Sequence, residues 1–178
     1  MAALPDIITV AQLEALPEPS DTYYELHWGE VVAMTRPRKR HVDVQARLAR
    51  LIEDRVRSFI VRVECPYRAL PEFEYRVADV AAISGKRWKA VDPDDDLRGS
   101  PELVVEVRSP SNTKAQLREL VTLCLTTGAL ECWIVDPQRK SVAVTHRDGS
   151  TTAYGPGSEI PLAAFGAGPL PVDEIFRD

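Results

Sequence analysis

The sequence predicts a mixed β-sheet flanked by helices, in the α/β or α+β class. Three observations predict it. Apolar residues recur with a helical period over 42–59 and again over 113–127. Strand-like runs stand between these stretches, at about 60–65, 73–83 and 102–108. Two further stretches, "YYELHWGEVVAMT" and "VAVTHRDGSTTAYG", read as hairpins.

Each element has a local reason. Thr9 with Gln12 resembles a capping box for a short helix near 10–16 that ends before Pro17. The first hairpin turns near Trp28-Gly29. From 42 to 59, Val44, Leu48, Leu51, Ile52, Val56 and Phe59 share a helical stripe, and Arg47, Arg50 and Arg57 lie opposite. After the strand run, "VDPDDDLRGS" reads as a solvated connection between two strands. Leu117, Leu120, Val121 and Cys124 form the inner stripe of the second helix, with Gly128 as its stop. "ECWIVDP" is a strand, and Asp148-Gly149 suits a type I′ turn in the second hairpin. The Gly/Pro-rich tail that ends in "DEIF" is expected to be a loosely packed cap. With no repeat or linker in the chain, a single domain over 1–178 is expected.

Bulk composition narrows the function classes. At 44% hydrophobic and 28% charged, 178 residues suit a soluble globular chain with a real core. A net charge of −5 gives no global sign of nucleic-acid affinity, so any such site is local. Cys65, Cys124 and Cys132 form no CxxC pair, which argues against a disulfide framework or zinc knuckle. The first residues lack a basic segment followed by a long apolar one, and no membrane span is readable. A cytoplasmic protein is expected.

The chemistry lies in the carboxylates. His27, His41 and His146 show no ligand spacing, and neither a nucleophile-elbow serine nor a glycine-rich phosphate loop occurs. Asp79, in "YRVADVAAIS", and Glu106, in "ELVVEVRSPSN", each sit in an apolar strand. An ionised carboxylate there needs a partner. Arg108 shares the face of Glu106, because side chains alternate along a strand. Two readings stay open from spacing: Arg108 pairs with Glu106 and Arg76 with Asp79, or a hard divalent cation lies between the two carboxylates.

Asp79 on one strand and Glu106-Val107-Arg108 on the next resemble the D…(D/E)xK signature of the PD-(D/E)XK nucleases. The string "ELVVEVRSPSNTKAQLRELVTLCLTTGALECWIVDP" resembles the Uma-type restriction-endonuclease family of bacteria, and "YELHWGEVVAM" followed by His41 is similar to its N-terminal half. The resemblance covers roughly 20–165. It implies a restriction-endonuclease-like fold, often homodimeric, and Mg²⁺- or Mn²⁺-dependent cleavage of DNA phosphodiesters. By the same resemblance Asp79 and Glu106 are the metal ligands, and Glu30 and His41 lie near the metal.

The departures from that pattern are as informative. Such proteins carry a lysine on the following helix at the position of Leu120, often Asp at that of Gln116 and Tyr at that of Cys124. Ala78 stands where a proline precedes the aspartate. Arg108 can replace a lysine in charge but not as a base. Two functions of different class follow: a working metal-dependent nuclease, or a member that binds nucleic acid or a protein partner without cutting. Arg36, Arg38, Lys39 and Arg40 in "TRPRKRH" are the expected phosphate contacts.

Overall fold

The structure, a computed structural model, describes residues 7–17, 22–35 and 37–177. Helix α1 (Val10–Glu14) opens with the expected box: Thr9 accepts from the Gln12 backbone N–H, and the Gln12 side chain accepts from that of Thr9. Strands β1 (Thr22–His27) and β2 (Glu30–Thr35) form a separate hairpin. Its turn is Trp28-Gly29, both at positive φ, as a two-residue hairpin turn of the primed type requires.

Helix α2 runs Lys39–Glu53 rather than 42–59. The helical stripe misled at its C-terminal end. Val56 is buried from the turn after the helix, and Phe59 already opens β3 (Phe59–Arg68). Strand β4 (Arg76–Ser84) pairs antiparallel with β3. A short helix, α3 (Gly85–Lys89), follows it with no clear sequence signal, and its Trp88 ring lies 4.9 Å below the Arg62 guanidinium. The acidic stretch is more than a solvated connection. Within it β5 (Leu97–Arg98) adds a parallel edge to β3, Leu97 is buried, and Arg68 pairs with Asp95 and Asp96.

Strands β6 (Leu103–Val107) and β7 (Glu131–Asp136) are parallel, and α4 (Lys114–Thr126) is the crossover that parallel pairing demands. Strands β8 (Ser141–His146) and β9 (Thr151–Tyr154) complete a seven-stranded mixed sheet in the order β5-β3-β4-β6-β7-β8-β9. The β8–β9 turn is not type I′. Among its central residues only Gly149 has positive φ, and the His146 N–H reaches Ser150 O, so this is a three-residue loop ending in a left-handed glycine.

The sheet buries both faces. One face packs Val80, Ala82, Val105, Trp133 and Val144 against Val44, Leu48 and Ile52 of α2. The other packs Ala81, Ile83, Val104 and Cys132 against Leu123 and Cys124 of α4. The tail is not a loose cap. Strands β10 (Glu159–Leu162) and β11 (Ala167–Pro171) and helix α5 (Val172–Ile175) insert Ile160, Leu162, Leu170, Val172 and Ile175 into the α2-side core. Several of its glycines and prolines stand within these short strands, and the apolar side chains beside them point inward. No helix among the described residues is long and apolar enough to cross a membrane.

Candidate active site

The antiparallel register of β4 and β6 pairs Val80 with Val105 and Ala81 with Val104. One step further along this register sets Asp79 opposite Glu106. There the sheet borders a cleft of about 890 Å³. Tyr23, Glu25 and His27 of the hairpin, His41 of α2, Arg76 of β4 and Leu120 of α4 line the same cleft. Asp79 and Glu106 therefore line one cavity.

Asp79 is held on both oxygens. His41 Nε2 donates to Oδ1 at 2.8 Å, and the Val107 backbone N–H donates to Oδ2 at 2.6 Å. Gln45 fixes the backbone beside it, with Nε2 donating to Asp79 O at 2.8 Å and to Glu64 Oε1 at 2.7 Å. Burial pushes the Asp79 carboxyl above its ordinary value, opposed by the His41 and Val107 hydrogen bonds. Burial alone would lower His41, but the hydrogen bond to Asp79 and the charges of Asp79 and Glu64 bring it above its ordinary value. Glu106 is half-buried and accepts no hydrogen bond among the described residues. Burial, then the Asp79 and Glu25 carboxylates, push it well above the ordinary value, and Arg76 opposes them.

The expected ion pairs do not form. Arg108 leaves the strand end and donates Nη1 to Asp136 Oδ2 at 3.0 Å, on the rim of the cleft rather than to Glu106. Asp136, the last residue of β7, lies one step past the Val107–Val135 pair, where Arg108 leaves the end of β6. Arg76 pairs with Glu74 at 2.8 Å and Glu119 at 3.2 Å, not with Asp79. Among the described residues, both carboxylates are thus left without an arginine partner.

The other expected residues divide. His41 is in the cleft, whereas Glu30 is exposed outside it at the hairpin turn. Arg38 and Arg40 are exposed and line the cleft; Lys39, one helical position round, pairs with Asp43 at 2.6 Å. Arg36 lies outside the described residues. Leu120 is half-buried and lines the cleft, so the lysine position faces the site. Gln116 is engaged in a capping box with Thr113, which gives that position a structural task.

Several residues in or behind the cleft escaped the sequence reading. Glu25 is buried, accepts the Val77 N–H at 3.0 Å and takes a hydrogen bond from His27 Nε2 at 2.6 Å. Its signal was present: like Glu106, it is a carboxylate inside a strand. Glu74 is fully buried, binds Arg76 and caps the Trp28 N–H at 2.7 Å, so it ties the hairpin to the sheet. Glu64 lines the cleft at φ 48, a left-handed conformation in the middle of β3. No local pattern announces it; Glu64 stands between the pairs Val63–Val80 and Cys65–Ala78 of β3 and β4.

No group of three or more His, Cys, Asp or Glu side chains is placed to hold a metal among the described residues. Two carboxylates at one cleft edge, one of them without a protein donor, still fit a hard divalent cation, because magnesium is commonly held by one or two carboxylates with water and phosphate oxygens.

A family model described as "Putative restriction endonuclease" matches residues 10–168. A crystal structure from Anabaena variabilis ATCC 29413, described as "a putative nuclease belonging to DUF820", superimposes with a TM-score of 0.79 at 19% identity, over 95% of this chain and 97% of that one. At that identity the likeness speaks for the fold. No curated protein matches the chain.

Proposed function

The chain belongs to the Uma2 family whose model it matches, and from that premise we propose that it is a nuclease that hydrolyses DNA phosphodiester bonds with Mg²⁺ or Mn²⁺. The observation that carries the reading is the pair Asp79 and Glu106, brought into one cleft by adjacent strands and, among the described residues, not paired with an arginine. These two carboxylates would hold the cation. A bound Mg²⁺ or Mn²⁺ supplies charge that polarises a phosphoryl oxygen and acidifies water for in-line attack.

The chain's own residues do the rest. His41 and the Val107 N–H fix the orientation of Asp79, and Gln45 holds the backbone behind it. Arg38 and Arg40 offer phosphate contacts at the cleft edge. Arg108 supplies positive charge at the rim while held by Asp136, but as a guanidinium it withdraws no proton.

A second reading, binding without cleavage, is favoured by Leu120, an apolar side chain at the position where the family places its lysine. Cleavage of plasmid DNA separates the two. The nuclease reading expects nicking with Mg²⁺ or Mn²⁺, none in EDTA, and a loss of at least about a hundredfold in Glu106→Ala, the scale of removing a charge-stabilising group. If neither the native protein nor a well-folded Leu120→Lys variant nicks DNA, the binding reading replaces it.

A further inference from the structure

A second cavity of about 610 Å³ opens beside the cleft, between β1, the strand β3 and the entry to β4. We propose that it is a subsite for an unpaired nucleobase of the strand whose phosphates lie in the main cleft; this rests on the nuclease or nucleic-acid-binding reading above. Three tyrosines (Tyr23, Tyr24 and Tyr75) and two prolines (Pro37 and Pro66) form most of its wall. Such rings offer flat, sequence-tolerant surfaces for a base. Its volume lies within the range of small-ligand pockets.

Charge decides against a phosphate here. Among the described residues, Glu64 is the only charged side chain in the lining, and it is an anion that would repel one. A carboxylate instead suits the amino or imino N–H of a base edge. Gln45 occupies Glu64 Oε1, and no described residue donates to Oε2, so that oxygen is an open acceptor. Glu64 holds this place at φ 48, a conformation that disfavours a side chain and is commonly kept only where something constrains or uses it.

Continuity ties the subsite to the cleft. Tyr23, Pro37, Glu64 and Val77 line both cavities, so a strand with phosphates at Arg38 and Arg40 can turn one base across Tyr23. The chemistry favours a single strand, or a duplex end that frays, over an intact duplex.

The test uses fluorescence anisotropy in EDTA, where cleavage cannot occur. Three labelled probes are compared: a short single strand, an abasic strand of equal length and charge, and a duplex of the same sequence. The native protein is expected to bind the base-bearing strand roughly tenfold more tightly than the abasic one, the scale of one stacking contact. The duplex should bind more weakly than the base-bearing strand, and Tyr23→Leu should bring the two single strands together. Equal affinity of the native protein for base-bearing and abasic strands overturns the subsite while leaving phosphate binding intact. Binding of none of the three probes overturns the subsite and the nucleic-acid reading together. Because the decisive comparison is made on the native chain, a misfolded variant does not blur it.

Discussion

An ionised carboxylate that is half-buried and without a donor is costly, and among the described residues none donates to Glu106. Its folded ionisation lies well above the ordinary 4.5, so its protonated form is the one the metal-free fold prefers. A raised folded value means a stabilising contribution that is full below the ordinary carboxyl range and lost as pH rises through the raised value. Asp79 shifts in the same direction. Glu106→Gln should therefore raise the melting temperature of the metal-free protein at neutral pH, and the gain should shrink as pH falls toward the ordinary value. Differential scanning calorimetry in EDTA across that range reads it; a Gln variant that melts lower at neutral pH would count against a strained Glu106. Glu106 could be found in the sequence because a charge interrupts an apolar run. Glu64 could not, since no local pattern announces its left-handed backbone.

At the scale of elements, the tail carries a sharp expectation. Leu170 of β11 is fully buried in the core shared with α2, so Leu170→Ala should cost about 2–5 kcal/mol, the range for deleting a buried leucine side chain. Urea unfolding measures it, and a cost near zero would mean that the tail packs as loosely as its composition suggests. The two helices that flank the sheet were legible because their stripes repeat over several turns. The tail was not, since its strands of four and five residues alternate too briefly to outweigh Gly and Pro. The C-terminal end of α2 was misplaced for a related reason: Val56 and Phe59 continue its period by chance while belonging to a turn and a strand.

Across the whole molecule, the sheet holds two cores apart and opens at the ends of β4 and β6, with the β1–β2 hairpin closing one side of the opening. The hairpin is fastened there by buried Glu74, which joins the Trp28 backbone to Arg76. A net charge of −5 hides a local pairing of acidic floor and basic rim, Asp79 and Glu106 below with Arg38, Arg40 and Arg108 at the edge. The floor was readable from two apolar strands. The side walls were harder to place, because Tyr23 and Glu25 reach the cleft only through the docking of the hairpin, although Glu25 carries the signal of a carboxylate inside a strand. The central claim is that the floor binds a divalent cation. Titration calorimetry with Mn²⁺ tests it most directly. Saturable binding to the native protein, abolished in folded Asp79→Ala and in folded Glu106→Ala, is the predicted result. No binding at millimolar Mn²⁺ by the folded native protein, or binding unchanged in both variants, would contradict it.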